Sequence, residues 1–115
     1  MARFLFIEPH ADIRLLYQAV VQGMSHEAVF FDGGSIDEPD VIVVEPADAE
    51  SFEAARQLRR DRPGVPIVCA SIYEPTLVET RVLEPTGYLL KPFSLVELTE
   101  ALQLALSQCR LEGND

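Results

Sequence analysis

The sequence predicts a single α/β domain in which a parallel β-sheet carries helices on both faces. Short apolar runs alternate along the chain with segments of helical periodicity, and this alternation is typical of parallel sheets. The run 41–44 consists of four β-branched apolar residues without a polar face, as expected for a strand buried on both sides. Several runs end abruptly in a polar residue, and two of them end in glutamate followed by proline.

Five apolar runs predict the strands. Each is closed by proline, by a turn sequence or by a polar residue, because proline has no N–H for the ladder and Asp-Gly sequences favour turns. In chain order the predicted strands are 3–7 before Glu8-Pro9, 28–31 before Asp-Gly-Gly, 41–44 before Glu45-Pro46, 65–70 before Ser71, and 87–90 before Lys91-Pro92.

Four segments predict helices, since their apolar residues recur at positions i, i+3, i+4 and i+7. The link 32–40 between the second and third strands is too short for a full crossover helix, which needs about a dozen residues or more. The predicted helices are 13–24, 48–60 with Asp48 as its N-cap, 74–83, and a last helix that Ser94 and Glu97 open as a capping box.

Composition restricts the classes of function. The 115 residues carry a formal net charge of −10, from 19 acidic and 9 basic residues, which argues against a nucleic-acid surface because such surfaces are basic. No apolar run reaches the roughly 18–20 residues that span a bilayer. We therefore expect a cytoplasmic domain over residues 1–111 with a flexible tail at 112–115. Cys69 and Cys109 are expected to be reduced thiols.

Polar side chains follow four of the predicted strands: Glu8, Glu45, Ser71 and Lys91. The carboxyl ends of parallel strands meet at one edge of the sheet, where open α/β sheets bind their ligands. Carboxylates suit Mg²⁺, whereas a lysine and a hydroxyl suit a phosphoryl group. A Glu–Lys ion pair in a shallow cleft is the alternative interpretation, and the residues alone favour neither.

Four segments together form a recognisable pattern: 4–14, 39–45, 66–71, and 87–93 with its Tyr-Leu-x-Lys-Pro-Phe run. The pattern covers essentially the whole chain and resembles the receiver domain of bacterial two-component response regulators. The resemblance implies a flavodoxin-like, doubly wound sheet of five parallel strands in the order 2-1-3-4-5. Here the second helix is expected to be missing or reduced. The resemblance also implies a cis peptide bond between Lys91 and Pro92.

The resemblance assigns roles to the pocket residues and reveals two departures. Glu45 stands at the position of the phosphoacceptor aspartate. Of the two acidic residues that hold Mg²⁺ in the family, the first is Glu8, but the second position is Pro9, whose side chain cannot bind a metal. The other positions imply a metal-facing backbone carbonyl at Ala47, the switch hydroxyl at Ser71, and the phosphate-binding lysine at Lys91.

A second set of residues follows from the same resemblance. Tyr88 matches the aromatic switch position. Together with Tyr73, Arg81 and Leu95 it marks the surface through which receivers dock partners or dimerise.

The two departures predict a receiver-like domain that works without phosphorylation, as a protein-interaction module and not as an enzyme. A protein partner in a signalling pathway is expected, without nucleic acid or membrane, and homodimerisation stays open. No cofactor is expected, and Glu8 and Glu45 provide at most a weak Mg²⁺ site. Two alternatives remain: a phosphorelay receiver with an atypical glutamate acceptor, and a small α/β enzyme or nucleotide binder. Against the last stands the lack of a glycine-rich phosphate loop.

Overall fold

The computed structural model describes residues 1–34 and 38–113 and has five parallel strands in the order β2-β1-β3-β4-β5. The flavodoxin-like sheet that the sequence predicts is therefore confirmed. In chain order the elements are β1 (Arg3–Ile7), α1 (Ala11–Gly23), β2 (Glu27–Phe30), β3 (Val41–Val44), α2 (Ala49–Asp61), β4 (Ile67–Ser71), α3 (Leu77–Leu83), β5 (Gly87–Leu90) and α4 (Leu95–Gly113).

Four helices accompany the five strands, because the described part of the link between β2 and β3 contains no helix. Residues 35–37 of that link lie outside the described residues. The tail predicted at 112–115 falls partly on α4, which extends to Gly113, and partly outside the described residues. None of the helices in the described ranges is long and apolar enough to cross a membrane.

The sheet separates two apolar cores. Successive residues of a strand point to opposite faces, so Phe4 and Phe6 of β1 pack beneath α1 and α4, whereas Leu5 packs toward α2 and α3. Both faces of β3 are covered, and Val41–Val44 are at most 1% exposed. The all-apolar run at 41–44 thus forms a strand buried on both sides.

Several element boundaries differ from the predicted ones by one to three residues. The third helix was expected from 74 but begins at Leu77, because Thr76 and Glu79 form a capping box: Thr76 Oγ1 accepts from Glu79 N at 3.1 Å, and Glu79 Oε2 accepts from Thr76 N at 2.8 Å. The Thr-x-x-Glu sequence was a readable signal for this start. The predicted cap at Asp48 is present, as its side chain accepts from Ser51 N at 3.0 Å.

The connection from β5 to α4 also follows expectation. The Lys91–Pro92 peptide bond is cis. Ser94 and Glu97 form the second capping box, with both hydrogen bonds at 3.0 Å. Within the described residues neither cysteine is in a disulfide: Cys69 lies buried in β4, and Cys109 is half-buried on α4.

Candidate functional site

The carboxyl ends of four neighbouring strands bring Glu8, Glu45, Ser71 and Lys91 to one edge of the sheet. Two of these residues continue the ladder just beyond their strands: Glu45 N donates to Ile7 O at 3.0 Å, and Lys91 N donates to Ser71 O at 2.8 Å. Their backbones are therefore held in the register of the sheet, which directs the side chains into a common space.

Lys91 bonds both glutamates at once. Its Nζ donates to Glu8 Oε1 at 2.7 Å and to Glu45 Oε1 at 3.0 Å. The three side chains are 8%, 1% and 6% exposed, in the order Lys91, Glu8, Glu45. We call these three residues the ion triad. Buried charges of this kind persist only when they are paired and hydrogen-bonded, so Lys91, the only lysine of the chain, holds both carboxylates in place.

The second oxygen of each carboxylate also has a partner. Glu8 Oε2 accepts from the backbone N of His10 at 3.3 Å and lies 2.9 Å from its Nδ1. Glu45 Oε2 accepts from Ala47 N at 3.2 Å. All four oxygens of the triad are thus engaged by the protein itself.

The receiver resemblance and the two carboxylates raise the question of Mg²⁺. The side chains present do not fit such a site. Lys91 bonds one oxygen of each glutamate, and the residue after Glu8 is Pro9, whose side chain has no atom that binds a metal. In residues 1–34 and 38–113 no group of three or more His, Cys, Asp or Glu side chains is arranged to hold a metal. The ammonium of Lys91 already bonds the two carboxylates that a cation would need as ligands.

Ser71 and Tyr88 fix the loop that follows β4. Ser71 is buried, and its Oγ accepts from Tyr73 N at 3.3 Å, while the Tyr88 hydroxyl donates to Tyr73 O at 3.0 Å. Burial, with added repulsion from Glu79, raises the pKa of Tyr88 to about 12, so its hydroxyl stays protonated and able to donate. The Tyr73 backbone is therefore held on both its N–H and its carbonyl.

Tyr17 of α1 lies below the site in the core. Its ring stacks on Phe6 with centroids 4.4 Å apart and on Phe93 at 6.3 Å. The hydroxyl is buried and has no hydrogen-bond partner among the described residues. Burial raises the pKa of Tyr17 well above its usual value, and the charges of Glu8 and Glu45 add to this. The helical periodicity of 13–24 predicted Tyr17 on the buried face of its helix.

An open cleft of about 710 Å³ lies above Glu45 and Lys91. We call it the apolar cleft. Its lining includes Pro9, His10 and Ile13, which follow β1, and Ile72 and Tyr73, which follow β4. Since β1 and β4 flank β3 in the sheet, these two groups lie on opposite sides of Glu45. Of the predicted pocket residues, Glu45, Lys91, Pro9 and Ala47 border this cleft, whereas Glu8 and Ser71 lie buried beneath the surface.

Of the remaining predicted residues, Tyr73 lines the apolar cleft, whereas Arg81, Tyr88 and Leu95 are not part of its lining. Arg81 is exposed on α3, and Leu95, 58% exposed, begins α4. Tyr88 is half-buried against the core between β4 and α3, and Tyr73 is 60% exposed. Sequence reasoning did not identify His10, Ile13, Ile72 and Pro92 as site residues. Ile72 directly follows the end of β4, a position that could have identified it.

Comparison with solved structures places this geometry in a known fold. A receiver-domain protein from Methanospirillum hungatei matches with a TM-score of 0.83 at 17% identity, over 97% of this chain and 98% of that one. The chemotaxis protein CheY4 from Vibrio cholerae matches at 0.81 and 24% identity, over 92% and 99%. NtrX from Brucella abortus matches at 0.80 and 17% identity, over 98% of this chain but only 28% of its own length.

This chain has the receiver fold. No protein-family model and no curated protein matches its sequence. At these identities the similarity defines the architecture, so the function has to be argued from the residues at the edge of the sheet.

Proposed function

We propose that the chain is a receiver-like signalling domain that works without phosphorylation, as a cytoplasmic protein-interaction module and not as an enzyme. The observation that carries this proposal is the ion triad. One buried ammonium bonds both carboxylates at the place where a receiver would hold a metal ion and accept a phosphoryl group.

The triad opposes phosphoryl transfer in two ways. A carboxylate attacks phosphorus through a lone pair on oxygen. Each oxygen of Glu45 accepts one hydrogen bond, from Lys91 or from Ala47 N, which stabilises the carboxylate and lowers its nucleophilicity. Lys91 would have to leave two buried glutamates to neutralise an incoming phosphoryl group. That movement exposes carboxylate charge without compensation, which is costly in a buried site.

The net charge, the lack of a phosphate-binding loop and the hydrogen bonds of Ser71 and Tyr88 support protein binding over catalysis. A net charge of −10 favours a protein partner over nucleic acid. The sequence has no glycine-rich phosphate loop, so a nucleotide-binding function has no comparable support. The switch-position residues Ser71 and Tyr88 bond the backbone of Tyr73 without any phosphoryl group, which is consistent with a fixed binding surface.

The test is the intact mass of the protein after incubation with acetyl phosphate and Mg²⁺. We expect no phosphoryl mass on the wild type and the mass of one phosphoryl group on Glu45→Asp/Pro9→Asp, which restores a shorter acceptor and a second acidic residue. Labelling of the wild type would contradict the proposal, since a carboxylate oxygen of the chain would then have attacked phosphorus and displaced acetate.

Two further variants make the result specific. If the wild type is labelled, Glu45→Gln distinguishes the acceptors: loss of the label identifies Glu45, whereas its persistence points to another carboxylate such as Asp48. Glu45→Asp alone shows whether one methylene group is sufficient to block the reaction. Circular dichroism of each variant confirms that the domain is folded.

A further inference from the structure

The apolar cleft combines the features of a binding site. Its volume of about 710 Å³ lies in the range of ligand sites, about 300–1,000 Å³. Ile72 and Tyr73 on one wall are 63% and 60% exposed. Large apolar side chains that face solvent together are typical of interaction surfaces.

Hydrogen bonds hold both walls of the cleft in place. On one side, Tyr73 is bonded by Ser71 and Tyr88. On the other side, His10 bonds Glu8 through its backbone N, and Glu8 is held by Lys91. A preformed site loses less conformational freedom on binding, which favours affinity.

The charge around the cleft is negative. Glu45 and Asp48 line the cleft and contribute two carboxylates, and the buried Glu8 of the triad contributes a third without lining it. The one ammonium, that of Lys91, is already bonded by the two glutamates. Asp48 lines the cleft and caps α2 through Oδ2 alone: Ser51 N and Oγ donate to that atom at 3.0 and 2.7 Å, and no described residue donates to Oδ1. These hydrogen bonds also keep the pKa of Asp48 below its usual value, so it is charged at neutral pH.

We infer that the apolar cleft binds a segment of a partner protein that inserts one large apolar side chain between Ile13 and Ile72 and sets an Arg or Lys against Asp48. The apolar walls select the first group, and the excess of carboxylates selects the second. The inference rests on the proposed function, because it names the chemistry of the partner that such a module binds.

The test uses three blocked dipeptides as probes, titrated into the ¹⁵N-labelled protein and followed by NMR. Acetyl-Trp-Arg-amide carries both groups, acetyl-Trp-Glu-amide reverses the charge, and acetyl-Ser-Arg-amide lacks the apolar group. We expect saturable shifts of the amides of Ile13, Ile72 and Tyr73 with Trp-Arg, at a dissociation constant about two- to fivefold lower than with Trp-Glu, the range of an exposed ion pair. Ser-Arg is expected to bind more weakly than both.

Three variants separate the contributions. Ile72→Ser is expected to weaken the binding of both Trp probes, whereas Leu104→Ser, which alters a similarly exposed leucine on α4, leaves it unchanged. Asp48→Asn keeps the helix cap and is expected to abolish the preference for Arg over Glu.

Equal binding of Trp-Arg and Trp-Glu would overturn the inference, because a purely apolar ligand would then be the better description. Shifts on the exposed face of α4, or no saturable shift at millimolar probe, would overturn it as well. Concentration-dependent shifts of the same amides without any probe would indicate a second copy of the chain as the occupant and also contradict it. None of these results depends on acetyl phosphate, so failure of the docking site and failure of the proposed function are distinguishable.

Discussion

Replacing Lys91 with methionine tests whether the ion triad stabilises the domain. Methionine keeps a long unbranched side chain but leaves the carboxylates of Glu8 and Glu45, 1% and 6% exposed, without a counter-charge. The Oε1 atoms of Glu8 and Glu45 lie 2.7 and 3.0 Å from Lys91 Nζ, so these two oxygens are within about 5.7 Å of each other. At that separation and an effective dielectric constant of about 20, two negative charges repel by about 3 kcal/mol. Removal of one partner from a buried pair typically costs about 3–5 kcal/mol.

We therefore expect Lys91→Met to lower the free energy of unfolding by about 3–5 kcal/mol, measured by urea denaturation at neutral pH. The triple variant Lys91→Met/Glu8→Gln/Glu45→Gln removes all three charges and is expected to recover most of this loss. Arg56→Met is the matched control, because its ion pair with Glu53 lies at the surface and should contribute little. A Lys91→Met variant as stable as the wild type would show that the two buried glutamates do not depend on the ammonium.

Three further predictions follow from the same structure. Lys91 is the only lysine and is buried, so brief acetylation of the native protein should modify the N-terminal amine alone. A second acetyl group should appear only in denaturant. Rapid acetylation of Lys91 in the native protein would contradict the burial of the triad. Tyr17→Phe should raise the free energy of unfolding by about 1 kcal/mol, because it removes a buried hydroxyl that has no described partner; a lower stability would mean that the hydroxyl is satisfied. Burial raises the pKa of Cys69 from 9.0 to about 12 and that of Tyr88 from 10.0 to about 12. The unfolded chain therefore loses these protons at lower pH than the folded chain does. The contribution of both groups to the free energy of unfolding is complete below pH 9 and should be lost as the pH rises toward 12. Urea unfolding in reductant at several alkaline pH values checks this, and a constant free energy of unfolding would contradict it.

The fold could be predicted from local sequence because several signals agree. Val41–Val44 has no polar residue and forms the central strand, and the other runs are closed by prolines, a turn sequence or a polar residue. Boundaries were predicted less well where the decisive interaction was a side-chain cap, as at Thr76 and Glu79. A side-chain cap stabilises one helix start over the alternatives by a few tenths to about 2 kcal/mol. The spacing of apolar residues alone does not reveal this preference.

The site could be predicted only in part. Strand ends and chain topology place Glu8, Glu45, Ser71 and Lys91 at one edge of the sheet, which is a property of parallel strands. The pattern does not determine that one ammonium bonds both glutamates, because this depends on rotamers and on distances of a few tenths of an ångström. It also does not predict the contact of His10 with Glu8, nor that Ile72 faces a cleft while its neighbours in β4 are buried.

An NMR titration of the ¹⁵N-labelled wild type, first with Mg²⁺ and then with beryllofluoride, which imitates a phosphoryl group, tests whether the ion triad keeps both ligands out of the site. The ion triad predicts no saturable change at the amides of residues 45, 47, 71 and 91 in either step, and saturable changes in both steps for Glu45→Asp/Pro9→Asp. Saturable binding of Mg²⁺ by the wild type, followed by a second set of shifts with beryllofluoride, would contradict the proposal that this domain works without phosphorylation.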